Sequence, residues 1–179
     1  MLRLLKTRWY ERAVTAEKLV VADRDGTLIR DHGRSVTQHD ISFIAGTIDY
    51  LRSVDEDTGV AIATNQRAVA TGIVAASDLD VFHLTLVERL SLLGVYVSFV
   101  LACTHHAAED GAPLCPCRKP NPGMIIKAMS LAGTEPGRTL VIGDQPSDMQ
   151  AAGRAGVKGI RTQDLEAHEP IQDVDGYLR

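Results

Sequence analysis

A short apolar run that ends in two carboxylates, residues 19–27, constrains this chain more than any other feature. Residues 19–22 are apolar, contain two successive valines and lead directly into a turn, which is typical of a buried strand in a parallel sheet. Asp23 and Asp25 follow, and alternate side chains of an extended chain share one face. Gly26 permits a tight turn just beyond them. The pattern predicts two converging carboxylates at the carboxyl end of a central strand.

Two carboxylates at close range repel each other and need a cation or a shared proton. A hard divalent ion such as Mg²⁺ meets that need with oxygen ligands. The pair then divides the chemistry, with Asp23 as nucleophile and Asp25 as general acid and base. The alternative is a solvated acidic turn without chemistry.

Charge and cysteine usage narrow the class of protein further. The net charge of -4 gives no support to a nucleic-acid partner. No apolar run is long enough to span a bilayer, and the first residues lack the features of a signal peptide. All 3 cysteines lie between Cys103 and Cys117, which indicates a metal site in a reducing compartment. We expect a cytoplasmic monomer with no nucleic-acid or membrane partner.

Strand and helix patterns alternate along most of the chain. Strands are predicted at residues 19–22, 60–63, 95–101, 139–142 and 157–160, and helices at 46–57, 77–93, 123–132 and 149–155. This order predicts an α/β fold, a three-layer sandwich with a central parallel sheet, over residues 19–161. Residues 1–18 are predicted as an N-terminal extension, either a helix or arm beside the first strand or a mobile leader. Residues 162–179 are predicted as a polar surface segment.

The helix at residues 77–93 carries one histidine among its apolar positions. Leucine and phenylalanine recur there at helical spacing, and His83 lies on or beside the face that they form. We therefore predict His83 as a packed core residue and not as a ligand.

Polar side chains follow two more of the predicted strands. Thr64, Asn65 and Gln66 end the second strand, where a hydroxyl and an amide can donate to phosphate oxygens, although a simple turn is the alternative. Asp144 follows the fourth strand and is predicted as a third carboxylate at the same sheet edge. Asp148 either pairs with Lys119 or only helps to begin the next helix, and the sequence leaves this open.

A polar loop follows the carboxylate pair. It contains Asp31, His32, Gly33 and Arg34, and its length suits a small flap over the site. We predict substrate contact, because loops at strand carboxyl ends bind ligands in α/β folds. An inert connection is the alternative.

Residues 102–120 carry the ligands of a second metal. Cys103, His105, Cys115 and Cys117 match a tetrahedral, structural Zn²⁺ site closed by protein ligands. His106 is the spare imidazole, because adjacent residues rarely both reach one ion. Glycine and proline in this loop leave it without a core of its own, so the metal would fix its shape. A reduced, metal-free loop is the alternative.

A basic pair follows the last of these ligands. Lys119 is a compact charge suited to a phosphoryl oxygen, and Arg118 offers a planar fork for a second anionic group. The alternative is a solvated basic pair, which their attachment to a metal-pinned loop makes less favourable.

Four motifs now stand in a fixed order over residues 19–160. They are Asp23-Arg24-Asp25-Gly26-Thr27, Thr64-Asn65-Gln66, Arg118-Lys119-Pro120 and Gly143-Asp144. This order resembles the haloacid dehalogenase (HAD) superfamily of phosphatases, whose fold is HAD-like and Rossmannoid. Within it the chain is similar to the zinc-containing branch of heptose bisphosphate and histidinol phosphatases, in which the zinc loop forms a minimal cap. Asp31-His32-Gly33, the Cys-Xaa-His-His start of the zinc loop and the run from Cys115 to Met124 are closer to the heptose enzymes.

The resemblance implies a role for each matching residue. Asp23 would attack phosphorus and become an aspartyl phosphate, and Asp25 would protonate the leaving oxygen and then activate water. Thr64 and Lys119 would hold the phosphoryl oxygens. Mg²⁺ would be held by the carboxylates of Asp23 and Asp144 and the main-chain carbonyl of Asp25. Together with the loop and basic residues described above, the predicted substrate-binding set is Arg24, Asp31, His32, Gly33, Arg34, Asn65, Gln66, Arg67 and Arg118.

The resemblance also implies the reaction, the hydrolysis of a sugar bisphosphate, with histidinol phosphate as the alternative substrate. A non-catalytic, zinc-stapled binding module is the alternative from another functional class. Two positions depart from the family pattern: Arg67-Ala68 replaces the usual Ser-Gly, and Arg34 stands where a tyrosine is common. A large cation beside the phosphate site would either bind a second anionic group or block a sugar.

Overall fold

A single six-stranded sheet organises the chain. The structure is a computed structural model that describes residues 1–31, 41–108 and 112–166. The strands are β1 (Leu2–Lys6), β2 (Lys18–Ala22), β3 (Thr58–Asn65), β4 (Val97–Cys103), β5 (Thr139–Gly143) and β6 (Lys158–Arg161). Their order across the sheet is β1-β4-β3-β2-β5-β6. Strands β2 to β6 pair in parallel, and β1 joins β4 antiparallel at one edge.

Helices cover both faces of the sheet. They are α1 (Tyr10–Val14), α2 (Ala45–Ser53), α3 (Arg67–Ala70), α4 (Ala76–Leu92), α5 (Gly123–Ala132), α6 (Pro146–Arg154) and α7 (Thr162–Glu166). Buried residues of α2, α4 and α7 form one apolar core, and those of α1, α5 and α6 form the other. Strand β2 supplies both cores, since Val20 faces the first and Leu19 and Val21 face the second. The predicted three-layer sandwich is therefore confirmed.

The chain outside residues 19–161 differs from the prediction. Residues 1–18 contain strand β1, which pairs with β4 and not with the first buried strand β2, and helix α1, whose Ala13 is fully buried. Thr162 and Leu165 of α7 are also buried, so the segment that begins at residue 162 starts inside the fold and not on its surface. Residues 167–179 lie outside the described part of the chain. Polar residues beside the few apolar ones concealed these elements from sequence reasoning.

Several predicted boundaries moved by a few residues. Helix α2 ends at Ser53 and not at residue 57, and β4 begins at Val97 and not at residue 95. Helix α6 begins at Pro146, directly after Asp144 and Gln145, three residues before the predicted start. This early start brings the first turn of α6 to the sheet edge where β2, β3 and β5 end. Within the described ranges, no helix combines the length and hydropathy needed to cross a bilayer.

Candidate active site

A polar cavity of about 210 Å³ opens at the carboxyl edge of the sheet. Its lining comes from the carboxyl ends of β2 and β3, from the loop that follows β2, from Lys119 and from the start of α6. The lining residues are Asp23, Asp25, Asp31, Thr64, Asn65, Lys119, Gln145, Ser147 and Asp148. Parallel α/β sheets bind ligands at this edge, so the cavity is the candidate active site.

A buried ammonium group stands at the centre of the cavity wall. Lys119 Nζ lies 2.7 Å from Asp23 Oδ1 and 2.6 Å from Asp148 Oδ1. It also donates a hydrogen bond of 2.8 Å to the carbonyl of Ala63 in β3. Lys119 and Asp148 are 6% and 1% exposed, so these charges interact with little screening by water. The lysine therefore ties β2, β3 and α6 together at the site.

The same contacts set the protonation of this group of charges. The pKa of Asp23 is raised to about 6, because burial and the charge of Asp148 raise it by more than Lys119 lowers it. Burial alone would lower the pKa of Lys119, but Asp23 and Asp148 outweigh it, so the net shift is upward. Lys119 therefore stays protonated, and an added cation would favour the ionised form of Asp23.

Asp144 joins Asp23 and Asp148 at the same edge. One carboxylate oxygen from each of the three lies within 4.8 Å of the others. Asp144 is positioned by Gln145, whose amide donates to it, and Thr27 Oγ1 lies 3.4 Å from its Oδ1. Three carboxylates beside one lysine suit a hard divalent cation. The predicted approach of Asp144 to Asp23 is therefore present.

Gly26 makes the approach of Asp144 possible. A Cβ atom at Gly26 would lie 2.4 Å from Asp144 Oδ2, and the glycine has a φ of +73°. A side chain would thus be both strained and in collision with the carboxylate. The glycine of the first motif is required by the third carboxylate, which lies more than a hundred residues away in sequence.

Asp148 fills both of the roles that the sequence left open. Its Oδ1 pairs with Lys119, and its Oδ2 accepts a hydrogen bond of 3.0 Å from the N–H of Gln145. The second contact belongs to a capping box at the start of α6, in which the Gln145 side chain accepts in turn from the backbone of Asp148. The first turn of α6 thus positions the carboxylate of Asp148, which in turn pairs with Lys119.

Asp25 is held by three donors. Arg24 donates to it through Nε at 2.9 Å and Nη2 at 2.8 Å, and Gln66 Nε2 donates at 3.0 Å. Arg24 is only 5% exposed and does not line the cavity. The guanidinium of Arg24 folds back onto the carboxylate of the next residue, and its predicted contact with substrate stays a prediction. Sequence reasoning could not tell this inward rotamer from an outward one.

The end of β3 supplies the remaining polar groups. Thr64 is 1% exposed and its Oγ1 accepts a hydrogen bond of 2.8 Å from Gln66 Nε2, which leaves its own hydroxyl proton to be donated into the cavity. Asn65 clamps the main chain of Lys119, donating to its carbonyl at 3.0 Å and accepting from its N–H at 3.1 Å. Asn65 and Gln66 therefore position Lys119 and Asp25, in addition to the predicted contact with substrate.

The four predicted soft ligands converge in a second cluster. Sulfur–sulfur distances among Cys103, Cys115 and Cys117 are 3.3 to 3.6 Å, and His105 Nδ1 lies 3.5 Å from Cys103 and 3.2 Å from Cys117. Zinc–sulfur bonds of about 2.3 Å at tetrahedral angles require sulfurs roughly 3.8 Å apart, so the cluster has nearly the right size for the ion. The neighbouring His106 is exposed, as expected for the spare imidazole.

The thiols of Cys115 and Cys117 have pKa values shifted in opposite directions. Burial, followed by hydrogen bonds from Cys115 and Cys103, raises the pKa of the Cys117 thiol. Burial acts in the same direction on Cys115, but hydrogen bonds from Cys117, Cys103 and the Arg118 backbone outweigh it and lower its pKa. Thiolates bind metals, and a cation among the sulfurs would favour the charged form of all three. The donor set fits zinc better than a hard ion.

The remaining residues predicted to contact substrate differ in where they lie relative to the cavity. Asp31 lines the cavity, while His32, Gly33 and Arg34 lie outside the described residues. Arg67 is exposed at the start of α3. Arg118 is half-buried, and its Nη1 atom is enclosed without a hydrogen-bond partner among the described residues.

Two cavity residues escaped sequence reasoning. Gln145 and Ser147 lie in the first turn of α6 and line the site. The signal was present in the proline at position 146, which is favoured in the first turn of a helix and places this turn beside Asp144.

Known proteins resemble this chain in sequence. Residues 116–164 match the family described as "HAD-hyrolase-like". D-glycero-beta-D-manno-heptose-1,7-bisphosphate 7-phosphatase of Salmonella typhi is 31% identical over 142 residues, covering 77% of this chain and 76% of that protein. The protein of the same name from Mesorhizobium japonicum is 34% identical over 139 residues, covering 75% of this chain and 64% of that protein.

Solved structures share the fold. The D,D-heptose 1,7-bisphosphate phosphatase of B. bronchiseptica, complexed with magnesium and phosphate, has a TM-score of 0.69 and 29% identity over 79% of this chain and 78% of that chain. A protein described as a HAD-like phosphatase from Mesorhizobium loti has a TM-score of 0.74 and 28% identity over 88% of this chain and 78% of that chain. Fold and carboxylate cluster together define a HAD-superfamily phosphatase. The sequence relatives then specify the branch: the chain belongs to the D-glycero-beta-D-manno-heptose-1,7-bisphosphate 7-phosphatase family.

Proposed function

We propose that this protein removes the 7-phosphate from a heptose 1,7-bisphosphate by way of an aspartyl-phosphate intermediate. The observation that carries the proposal is the convergence of Asp23, Asp144 and Asp148 at one sheet edge, where Lys119 pairs with Asp23 and Asp148 and Asp25 lines the same cavity. Relatives bearing that activity in their names cover three quarters of the chain, which supports the substrate. A binding module would gain nothing from burying these like charges together, because their burial is costly.

The first step forms the intermediate. A carboxylate oxygen of Asp23 attacks phosphorus, and the bond from phosphorus to the sugar oxygen breaks, leaving its electron pair on that oxygen. Asp25 gives its proton to the departing oxygen. Lys119 and the hydroxyl of Thr64, both nearly fully buried, neutralise charge on the phosphoryl oxygens. Asp23 must be ionised for attack, and Lys119 favours that form.

The second step regenerates the enzyme. Asp25, now a carboxylate, takes a proton from water as the water oxygen attacks phosphorus. The bond between phosphorus and the Asp23 oxygen breaks, which releases inorganic phosphate and restores the carboxylate. Gln66 keeps Asp25 directed at the cavity through both steps by its bond of 3.0 Å. The products are a heptose 1-phosphate and phosphate.

Magnesium is the proposed cofactor of this site. The carboxylates of Asp23 and Asp144, with the main-chain carbonyl of Asp25, would hold it, and their hard oxygen donors fit the ion. When bound, the ion would offset the negative charge shared by the carboxylates and the phosphoryl group. The solved B. bronchiseptica relative contains magnesium and phosphate, which supports this choice.

Zinc is the proposed occupant of the thiol cluster. Cys103, His105, Cys115 and Cys117 would close its coordination, so its role would be structural. The loop passes from Cys117 to Lys119 within two residues, and the zinc would thereby fix where the catalytic lysine emerges. Reduced thiols are needed for this, which supports the proposed cytoplasmic location.

Arg118 is proposed to bind the second anionic group of the substrate. A buried guanidinium N–H without a partner is costly, and a phosphate oxygen would satisfy it. Arg67 and Arg34 remain proposed contributors, because each adds a cation where the family pattern has a smaller or neutral residue.

A comparison of substrates tests the function. The purified protein with Mg²⁺ would be offered heptose 1,7-bisphosphate, histidinol phosphate and a broad panel of phosphate esters, and phosphorus NMR would show which phosphate is lost. We expect kcat/KM to be highest for the heptose bisphosphate, with loss of the 7-phosphate only. A higher kcat/KM for histidinol phosphate would identify that ester as the substrate in place of the heptose bisphosphate. If no ester were hydrolysed, the non-catalytic, zinc-stapled binding module would be the better explanation.

A further inference from the structure

A second layer of buried side chains lies behind Asp25, on the side away from the cavity. Arg24, which holds Asp25 through two hydrogen bonds, is itself held by helix α4. Its Nη1 lies 3.1 Å from His83 Nε2, and its Cζ lies 4.9 Å from the centre of the Phe82 ring. None of these three residues lines the cavity.

The direction of the Arg24–His83 hydrogen bond follows from chemistry. A guanidinium has only donors, so His83 Nε2 must accept and the ring must be neutral with its proton on Nδ1. Burial, followed by the charges of Arg24 and Arg3, lowers the pKa of His83 to about 3, which agrees with a neutral ring. At 1% exposure, His83 has no water to compete for the contact.

Arg24 needs such a partner. An arginine side chain has several rotatable bonds, and its two-point contact with the adjacent residue fixes only one side of the guanidinium. His83 fixes the opposite side, and the ring of Phe82 supports the face. The carboxylate of Asp25 must stay aimed at the leaving oxygen, and a small misplacement of a catalytic group is costly in rate.

We propose that His83 is a positioning residue for the general acid and base: it fixes Arg24, and Arg24 in turn aims Asp25 at the leaving oxygen. The proposal rests on the proposed phosphatase function. It assigns to α4 a role in catalysis although no α4 side chain reaches the cavity. A histidine that only fills the core would support the fold but would not act through Asp25.

Leaving-group dependence separates the two roles. An alkoxide from a sugar needs a proton as it departs, whereas 4-nitrophenolate departs without one. The ratio kcat/KM covers the steps through the departure of the leaving group, so it reports the help that Asp25 gives there. A loss that acts through Asp25 must therefore be larger for a sugar phosphate than for 4-nitrophenyl phosphate.

The experiment compares His83→Leu with wild type on both substrates. We expect kcat/KM for the sugar phosphate to fall roughly tenfold, a fraction of the effect of general acid catalysis, and that for 4-nitrophenyl phosphate to fall about twofold or less. His83→Gln retains an acceptor for Arg24 and should recover most of the loss. Leu86→Ala is the matched control, because Leu86 is fully buried in the same helix; it should lower stability while leaving the ratio between the two substrates at its wild-type value.

A double-mutant cycle completes the test. In an Asp25→Asn background, His83→Leu should change the residual kcat/KM by less than about twofold, because the residue through which it acts is gone. Equal losses on both substrates, or full additivity with Asp25→Asn, would overturn the positioning role while the phosphatase function stands. A wild-type protein that hydrolyses neither ester would overturn both.

Discussion

The two candidate metal-binding clusters of this protein differ in how the protein balances their charge. The carboxylates of Asp23 and Asp148 share a buried lysine, whose ammonium lies within 2.7 Å of each. The sulfurs of the thiol cluster contact one another, the His105 ring and a backbone N–H, which are neutral groups. The oxygen site thus carries its own counter-ion, and the sulfur site would depend on its proposed metal for one.

This difference matches the proposed roles of the two ions. A magnesium that takes part in turnover should exchange without disturbing the fold, and Lys119 keeps the carboxylates together when it leaves. A structural zinc need not exchange, so its ligands can depend on it completely. The comparison predicts that removal of magnesium from the oxygen site mainly lowers activity, whereas removal of zinc from the sulfur site mainly lowers the free energy of unfolding.

The largest expected effect tests whether the oxygen site is the reactive one. Asp23→Asn removes the nucleophile and should lower kcat by about 10⁴-fold or more, measured as phosphate release with Mg²⁺. Asp148 still pairs with Lys119 in this variant, so the protein should remain folded by circular dichroism. Residual activity within tenfold of wild type would show that another group attacks phosphorus.

Removal of the lysine tests the internal counter-ion. Lys119→Met leaves two carboxylates unpaired, so we expect a loss of roughly 3–5 kcal/mol in the free energy of unfolding. The same variant should lose about 10²-fold in kcat, since charge neutralisation at the phosphoryl group is lost. Urea unfolding with and without Mg²⁺ measures the first effect, and Mg²⁺ should restore more stability to the variant than to wild type. Unchanged stability would contradict the proposed charge balance.

Two adjacent histidines give a matched test of the sulfur site. His105→Ala should abolish the copurification of one zinc per chain and lower the free energy of unfolding by a few kcal/mol. Activity should fall less, by about tenfold, because Lys119 lies close to the loosened loop while Asp23 and Asp25 are untouched. His106→Ala changes an exposed ring outside the cluster and should keep both zinc and stability. Equal zinc loss in the two variants would contradict the ligand assignment.

The accuracy of the sequence-based predictions differs between the regions, and it depends on how far apart in the sequence the interacting residues lie. The four proposed zinc ligands lie within fifteen positions of one another, and residue type and spacing predicted that they would converge. Asp23, Asp25 and Asp144 were predicted at one sheet edge because they follow apolar strands, and parallel strands bring such positions to the same edge.

The contacts that escaped prediction depend on rotamers and on the packing of distant elements. No sequence pattern told whether Arg24 faces the cavity or folds back onto Asp25, and the dual contacts of Asp148 became clear only from the placement of α6. Strand β1 was missed because its five residues mix leucine with charge, and only its pairing with β4 reveals it. The motifs predicted where the candidate active site lies. The contacts of Arg24 and Asp148, which position Asp25 and balance the charge of Lys119, required the structure.

A smaller expected effect concerns the pH dependence of stability that arises from His83, which burial keeps neutral. The pKa of His83 is about 3 in the folded protein, lowered from an ordinary value of 6.5. Between these values the unfolded chain binds a proton at this position and the folded chain does not, so stability falls as the pH falls from about 6.5 towards 3. The slope is about 1.4 kcal/mol per pH unit. Above about pH 6.5 both states are neutral and the effect disappears.

His83→Gln removes this titration while keeping an acceptor for Arg24. Between pH 7.5 and about pH 5, wild type should lose about 2 kcal/mol more of its free energy of unfolding than the variant does. Urea unfolding at the two pH values measures the difference, and the carboxylates, common to both proteins, cancel. Parallel losses would mean that the pKa of His83 is nearly the same in the folded and unfolded chain, so that the ring is protonated in the folded protein at pH 5. Arg24 would then face a cation at 3.1 Å and not an acceptor, which would remove the support for Asp25 that distinguishes the oxygen site from the sulfur site.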